Sequence, residues 1–115
     1  MNIQIFGTQK SSDTRKAERW FKERRIKAQF IDLLDKGISR GELKSVAMAC
    51  GGLDALIDED ARDRDALALV KYAAPAQKEE ALMEHVQVLK QPIVRNGKSA
   101  AVGYRPEVYE AWSRE

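Results

Sequence analysis

A strand pattern, a helix pattern and a second strand pattern follow one another at the start of the chain. The residues from Asn2 to Phe6 alternate polar and apolar, and Gly7 marks the end of the strand. An apolar stripe at helical spacing comes next, and the segment QFIDLL (29–34) is the second strand candidate. Because a crossover helix joins strands that run parallel in one sheet, this order predicts an α/β fold.

The first helix is predicted to end near Arg24, and its start lies in a serine-rich loop. Asp13 is a candidate N-cap, and Ser11, Ser12 and Thr14 are alternatives with the same capping chemistry. A loop between a strand and a helix N-terminus is a common place for a reactive group. The role of the two serines is therefore the central question about function.

Several short helices are predicted in the middle of the chain. Ser39 and Glu42 form a capping box for the first of them, and its apolar stripe ends at Cys50, just before two glycines. Other helical segments are predicted at residues 53–57, 66–72 and 77–89. These helices are small and must pack on one another or on the sheet.

Two further strands and a last helix are predicted in the C-terminal third. The segment QPIVRNGKSAAVGY (91–104) has two short apolar runs around Asn96-Gly97, which predicts a hairpin. Pro106 suits the first turn of a final helix. The order βαβ, helical insert, ββα predicts a single domain over residues 1–115, with the insert at about 39–89.

Charge and composition exclude several classes of function. The 20 basic and 18 acidic residues are scattered along the chain, and no basic run is interleaved with aromatic residues, so direct nucleic-acid binding is not expected. One cysteine and one histidine exclude an internal disulfide, a zinc cluster and most Ser/His schemes, and no metal is expected. The sequence has no signal peptide or long apolar stretch, which predicts a cytoplasmic protein without a membrane contact. The chain is expected to be a monomer.

Four other features are interpreted as structural. Cys50 is expected to be a small buried hydrophobic residue with a raised pKa, and His85 a partly buried packing residue. The acidic segment 58–65 is expected to be solvated and to cap a helix, since Arg62 interrupts it and the spacing of a calcium loop is absent. The basic segment RKAERWFKERRIK (15–27) is expected to be a solvated helix face.

Four segments together match one known family in order along nearly the whole chain. They are IFGTQKSSDTRKAERWFKERRI (5–26), FIDLLDKGISRGEL (30–43), GGLDALID (51–58) and LKQPIVRNGKSAAVGYRPEVYEAW (89–112). The chain resembles the arsenate reductase-like (ArsC/Spx) family of the thioredoxin-like superfamily. The resemblance implies a thioredoxin-like fold, a four-stranded mixed sheet with a helical insert.

The resemblance also bears on the serine-rich loop. In the reductases of this family a nucleophilic cysteine stands just before the first helix, and the matching position here is Ser11. A helix N-terminus lowers the pKa of a thiol and holds an incoming oxyanion. Serine keeps the anion site but cannot form the arsenic–thiolate and mixed-disulfide intermediates of the family. The resemblance therefore implies a member without thiol reductase activity.

The arginines that hold arsenate in the family are largely replaced. Gln91, Asp58 and Arg105 stand at the three matching positions, so only the last is kept, and Arg95 is a candidate substitute. Pro92 matches the proline that is normally cis in this fold. The residues expected to bind a substrate or anion beside Ser11 are Ser12, Thr14, Arg15, Gln91, Pro92, Arg95 and Arg105.

Two classes of function stay open. One is an anion-binding or regulatory module, whose ligand is a small oxyanion, a thiol compound or a protein partner. A regulator similar to Spx would bind RNA polymerase, although the segment KSSD lacks the CxxC switch usual in Spx proteins. The other is a glutathione- or glutaredoxin-linked oxidoreductase of the arsenate reductase type, if Ser11 is an engineered replacement of a natural cysteine or if another thiol acts. No bound cofactor is expected, and glutathione would be a co-substrate of the oxidoreductase.

Overall fold

A single mixed sheet forms the centre of the computed structural model, which describes all 115 residues. Its strands are β1 (Ile3–Gly7), β2 (Ala28–Asp32), β3 (Ile93–Asn96) and β4 (Ser99–Val102). They lie in the order β2-β1-β3-β4, with β1 and β2 parallel and β3 antiparallel to both β1 and β4. The predicted parallel pair and hairpin are both confirmed.

Five α-helices cover the sheet. They are α1 (Ser12–Glu23), α2 (Arg40–Cys50), α3 (Arg64–Lys71), α4 (Pro75–Glu84) and α5 (Pro106–Ser113), with 3-10 turns at Leu53–Leu56 and Val86–Val88. The buried apolar residues of α1 and α5 belong to one core, and those of α2, α3 and α4 to another. The sheet therefore lies between two helical layers. None of the helices combines the length and the apolar character that crossing a membrane requires.

Side chains on alternating positions of the central strands contribute to both cores. Ile5 and Val94 belong to the core with α1 and α5, whereas their neighbours Phe6 and Ile93 belong to the core of the insert. This follows from the geometry of a strand, in which successive side chains point to opposite faces of the sheet. Residues only one position apart therefore stabilise different layers.

The aromatic residues pack α5 and α1 against the sheet. The Tyr109 ring lies edge-on to Trp20 at 5.5 Å and tilted against Phe21 at 4.9 Å between ring centroids. Its hydroxyl donates a hydrogen bond to the Gly103 carbonyl oxygen at 3.1 Å. Burial raises the pKa of Tyr109 to about 12. The C-terminal helix is thus held by apolar packing with its one buried hydroxyl satisfied.

The structure resolves the start of α1 among the four candidates. Ser11 is the N-cap, and its hydroxyl oxygen accepts a hydrogen bond from the Thr14 backbone N–H at 3.2 Å. Asp13 instead lies in the first turn, where its negative charge favours the positive end of the helix dipole. The helix ends at Glu23, close to the predicted end, and the capping box of Ser39 and Glu42 is also confirmed.

The predicted helix over residues 77–89 is wrong in its extent. The helix α4 ends at Glu84, and after one 3-10 turn the chain becomes extended at Leu89. There Leu89 pairs with Ile57, flanked by hydrogen bonds from Asp58 N–H to Val88 O and from Lys90 N–H to Leu56 O, both 2.8 Å. Tertiary pairing between two distant segments thus overrides the helical pattern.

Candidate functional site

The serine-rich loop and the start of β3 meet at one edge of the sheet. The strand β1 ends at Gly7, and β3 begins at Ile93, the residue after Pro92. Because the two strands are antiparallel, the end of one lies beside the start of the other. The Gln91-Pro92 peptide bond is cis, as the family resemblance implies. Ser11 at the helix start and Gln91 before the cis bond therefore face one shared pocket.

The side-chain carbonyl of Gln91 connects the loop to the sheet. Its Oε1 accepts hydrogen bonds from the Thr8 backbone N–H at 2.7 Å and from the Thr8 hydroxyl at 3.1 Å. The Thr14 hydroxyl donates to the same oxygen at 3.5 Å. Thr8 and Thr14 are both buried, so this one oxygen satisfies donors that water reaches poorly. Gln91 therefore holds the loop in place beside the start of β3.

A close approach between β1 and α1 fixes the position of the helix start. A Cβ atom at Gly7 would lie 2.5 Å from the Thr14 hydroxyl oxygen and 2.8 Å from its methyl carbon. Only glycine leaves room for this contact. The N-terminus of α1, with its free backbone N–H groups, is thus held against the end of the strand.

A pocket of about 510 Å³ opens beside Ser11, and we call it the Ser11 pocket. Thr8, Lys10, Ser11 and Gln91 line it on the side of the loop and β3. The remaining residues that line it are Leu33, Leu34, Asp58, Asp60, Ala61, Arg62, Asp63, Val86 and Gln87. The acidic segment of the insert thus lies across the pocket from the helix start.

Carboxylates outnumber cations in the Ser11 pocket. Lys10 and Arg62 bring positive charge, whereas Asp58, Asp60 and Asp63 bring negative charge. Asp58 Oδ1 accepts a hydrogen bond from the Asp60 backbone N–H at 2.9 Å. No group of three or more histidine, cysteine, aspartate or glutamate residues is arranged to hold a metal ion. The pocket is therefore net negative by formal charge.

Asp63 also caps α3, as expected for the acidic segment. Its Oδ1 accepts a hydrogen bond from the Ala66 backbone N–H at 3.0 Å, and its Oδ2 accepts one from Gln87 Nε2 at 3.1 Å. The Ala66 N–H, and after it Gln87, lower the pKa of the Asp63 carboxyl below its usual value. This carboxylate is thus committed to the structure of the insert.

The three predicted anion-binding arginines do not line the Ser11 pocket. Arg15 donates a hydrogen bond to the Gln9 carbonyl oxygen and lines another groove. Arg95 donates to Gln4 Oε1 at 2.9 Å, on the strand position opposite it in β1. Arg105 forms an ion pair with Glu107 at 3.1 Å. Of the predicted residues, those the structure brings together are Ser11, Thr14, Gln91 and Pro92, while Ser12 is exposed as the first residue of α1.

The single thiol lies in a different place from Ser11. Cys50 is half-buried at the end of α2, in a cavity of about 440 Å³ that Lys90 and Arg105 also line. Burial raises the pKa of the Cys50 thiol, and the Arg105 charge opposes that shift. The cavity shares no lining residue with the Ser11 pocket.

Sequence reasoning missed several residues of the Ser11 pocket, among them Thr8, Lys10 and Arg62. Thr8 is the first residue after β1, and its position is the available signal, since polar residues after a buried strand often belong to a site. Lys10 in the loop and Arg62 in the acidic segment also line the pocket. No sequence pattern predicts that Lys10 and Arg62 line the same pocket. Their proximity depends on how the insert folds back over the loop.

Comparison with known proteins identifies the family. The sequence model of the ArsC family matches residues 6–112. The chain is also 33% identical over 109 residues to the global transcriptional regulator Spx 2 of Oceanobacillus iheyensis, covering 93% of this chain and 80% of that protein. The chain belongs to the ArsC family. As an ArsC-family protein it is arsenate reductase-like and Spx-like in sequence.

Solved structures show that this ArsC-family chain has the thioredoxin-like fold of its relatives. An arsenate reductase from Vibrio cholerae has a TM-score of 0.81 at 24% identity, with 96% of this chain and 97% of that chain covered. An ArsC family related protein from Bacteroides fragilis has a TM-score of 0.82 at 20% identity, with the same coverage of both chains. At these identities the likeness extends to the fold, and the chemistry depends on the residues of the Ser11 pocket.

Proposed function

We propose that this ArsC-family chain is a regulatory module that acts by binding a protein partner and has no thiol reductase activity. The observation that carries the proposal is the role of Ser11. Its hydroxyl oxygen caps α1 at the position where the family's reductases have a nucleophilic cysteine, and no thiol lines the pocket.

The hydroxyl of Ser11 is a poor replacement for that thiol. Serine needs a paired general base to act as a nucleophile, and the only histidine, His85, does not line the pocket. A hydroxyl also forms no disulfide with glutathione. The chain's own residues therefore hold the loop in place but supply neither step of a thiol-based reduction.

The charge of the Ser11 pocket also disfavours arsenate. Two of the three arginine positions of the family carry Asp58 and Gln91, and Asp58 lines the pocket directly. The carboxylate of Asp58 would repel a bound dianion and so weaken its binding. The neutral amide of Gln91 cannot form the charge-assisted hydrogen bonds that a guanidinium forms with such an anion. Small oxyanions are thus weak candidates as ligands.

A regulatory role is supported by the relative from Oceanobacillus iheyensis, which is a global transcriptional regulator by name. From the resemblance to Spx, RNA polymerase is the first candidate partner. Because the chain has neither the CxxC pair nor any other cysteine near Ser11, binding would not respond to thiol oxidation at this site.

Arsenate turnover tests the loss of reductase activity. The chain and its Ser11→Cys variant are each assayed with arsenate, glutathione and glutaredoxin. We expect no turnover by either protein, because the cysteine variant still lacks the two arginines. Turnover by the chain with Ser11 in place contradicts the proposal.

Retention of purified RNA polymerase on the immobilised chain tests the regulatory role. We expect retention of the polymerase by both the chain and its Cys50→Ser variant, and equal retention in oxidising and reducing buffer. An unrelated protein of similar charge on the same matrix is the control. Failure to retain the polymerase removes it as the partner.

A thiol-linked oxidoreductase is the second candidate, favoured by one observation. The backbone around Ser11 has the helix N-terminus that a reactive cysteine of this family would need. If Ser11→Cys alone reduces arsenate or a mixed disulfide, the pocket is a complete reductase site that lacks one sulfur atom. The codon for residue 11 in the natural gene then becomes decisive.

A further inference from the structure

A second groove runs between α1 and the edge strand β2, away from the residues of the Ser11 pocket. It has a volume of about 590 Å³, and we call it the basic edge groove. Phe21, Ile26 and Phe30 are among the apolar residues of its floor. Arg19 and Lys22 of α1 line its wall. None of its lining residues belongs to the Ser11 pocket, so it is a separate feature of the surface.

The strand β2 leaves one edge of its backbone without a partner strand. It pairs only with β1, in a parallel register in which Leu33 N–H, just beyond the strand, donates to Gly7 O at 3.0 Å. Hydrogen bonding alternates along a strand, so residues 29 and 31 face β1 and the backbone of Ala28 and Phe30 faces outward. An open edge of this kind is a template for a further strand.

Positive charge dominates the wall of the basic edge groove. Arg15, Arg19, Lys22 and Lys27 line it, against the single carboxylate of Glu18. Glu18 accepts a hydrogen bond from Gln9 Nε2 at 2.8 Å. Arg19, Lys22 and Lys27 form no ion pair. The groove therefore offers unpaired cations beside unpaired backbone groups.

We propose that the basic edge groove binds an extended acidic segment of a protein partner, which adds to β2 as a fifth strand. The added strand would bond to the outward backbone of Ala28 and Phe30. Every second side chain of the added strand would enter the groove. There its acidic groups would pair with Arg19 and Lys22, and the methylene groups of the acidic side chains would cover the apolar floor. This inference rests on the proposed function, since it names the surface and the chemistry of the protein partner.

Charge and burial favour this occupant over two others. A second copy of the chain would bring its own Arg19 and Lys22 against those of the first, and like charges repel. A nucleic acid would gain from exposed aromatic rings, but of the two aromatic residues that line the groove Phe21 is 0% exposed and Phe30 is half-buried. An acidic peptide is complementary in charge to the groove. Its other contacts would be with the apolar floor and with the unpaired backbone groups of β2.

Titration of the ¹⁵N-labelled chain with a short peptide of alternating glutamate and valine tests the inference by NMR. We expect amide shifts in β2 from Ala28 to Asp32 and along the groove side of α1. A peptide of alternating lysine and valine is the matched ligand and is expected not to bind. Affinity for the acidic peptide is expected to fall as salt is raised.

Two sets of variants separate charge from backbone. Arg19→Glu with Lys22→Glu is expected to weaken binding of the acidic peptide by about tenfold or more. Lys16→Glu with Lys44→Glu makes the same change of net charge outside the groove and is the control. Ala28→Pro removes an outward N–H from an edge position that tolerates proline, and is also expected to weaken binding. If Ala28→Pro does not fold, the two pairs of charge variants still test whether the acidic peptide binds in the groove.

Several results would overturn the inference. These are no binding of the acidic peptide, equal binding of the lysine peptide, equal weakening by the control pair, or shifts confined to another surface. A dimer seen by sedimentation that Ala28→Pro disrupts, or displacement of the peptide by a single-stranded oligonucleotide at low concentration, would assign the groove to another occupant. Peptide binding without retention of RNA polymerase would count against the proposed partner only, and retention without peptide binding against this groove only.

Discussion

Ser11 places a hydroxyl where backbone N–H groups are left free by the helix. Its oxygen accepts a hydrogen bond from one of these groups, the backbone N–H of Thr14. The exposed Ser12 is the first residue of the helix. A thiolate at the same position would receive the same N–H groups and the positive end of the helix dipole. The loop therefore keeps one feature that favours a thiolate, the N-terminus of α1.

This environment predicts the acidity of a cysteine at residue 11. In a Cys50→Ala background, Ser11→Cys is expected to have a thiol pKa below about 7.5, because a helix N-terminus stabilises the thiolate. The rate of alkylation by iodoacetamide as a function of pH measures this pKa. Turnover of arsenate is not needed for the measurement.

Ser113→Cys in the same background is the control for this prediction. Ser113 is the last residue of α5, where the helix dipole is negative and disfavours a thiolate. We expect this cysteine to titrate at a higher pH than the one at residue 11. Equal pKa values for the two cysteines would show that the start of α1 gives no electrostatic activation.

At the scale of elements, the contact between β1 and α1 depends on Gly7. Gly7→Ala is expected to lower the free energy of unfolding by about 1–3 kcal/mol, because its Cβ would overlap the Thr14 side chain. Urea unfolding followed by circular dichroism measures the change. The Thr14 hydroxyl would also move from Gln91 Oε1, so the amide of Thr8 is expected to shift in NMR spectra.

Gly41→Ala is the matched control for this contact. Gly41 lies in α2, and a Cβ atom there would have no neighbour within 4 Å. We expect this change to raise the free energy of unfolding by up to about 1 kcal/mol, since alanine favours the helix. If both glycine variants changed stability in the same direction, the close approach at Gly7 would not be the cause.

The cap of α3 predicts a dependence of stability on pH. The pKa of Asp63 is lower in the folded chain than its usual value, so its stabilising contribution is complete above the unfolded pKa of about 3.9. That contribution is expected to be lost as the pH falls through the lower, folded pKa. Urea midpoints measured from neutral pH to about pH 2 follow the loss.

Two substitutions of Asp63 separate its charge from its cap. Asp63→Asn keeps an oxygen that accepts from the Ala66 N–H, so at neutral pH its stability should stay closer to that of the parent. Asp63→Ala should be less stable than the asparagine variant. Both should lose the part of the acid dependence that belongs to residue 63. An unchanged acid dependence in both variants would assign it to other groups.

At the scale of the whole molecule, the two cores share the central strands. Trp20 and Trp112 both lie in the core with α1 and α5, whereas Leu82 is fully buried in the core of the insert. Leu82→Ala is expected to lower the free energy of unfolding by about 2–5 kcal/mol through the cavity it leaves. Because β1 and β3 contribute residues to both cores, we expect the lower stability to appear also in the unfolding of the core that contains the two tryptophans.

Two signals recorded on the same samples test this coupling. Tryptophan fluorescence reports the core of α1 and α5, and far-ultraviolet circular dichroism reports helices on both faces. We expect their urea midpoints to coincide in the parent and to move together in Leu82→Ala. Separate midpoints would mean that the insert unfolds as an independent unit. Leu34→Ala, at a leucine that is 64% exposed, is the control and should move neither midpoint much.

Much of the fold could be predicted because it depends on local signals. The hairpin around Gly97, the capping box of Ser39 and the proline at the start of α5 are each contained in a few neighbouring residues. The stripe of Trp20 and Phe21 likewise required only helical spacing. These signals act within one turn or one strand, so they do not depend on the rest of the chain.

The end of α4 could not be predicted in the same way. The residues after Glu84 continue a helical pattern, but Leu89 gains an extended partner in Ile57, which is far away in sequence. A hydrogen-bonded pairing of this kind competes with the helix only once the insert has folded. Local propensity is a weak guide wherever such a competition exists.

The same distinction applies to the site. Ser11, Gln91 and Pro92 could be named from sequence, since a family motif fixes their positions along the chain. The presence of Asp60 and Arg62 in the Ser11 pocket, and the turn of Arg105 toward Glu107, could not. Charge in a pocket depends on side chains that loops bring from distant segments. The pattern of residues thus specified the elements and the serine at the helix start, and packing alone set the charge that surrounds it.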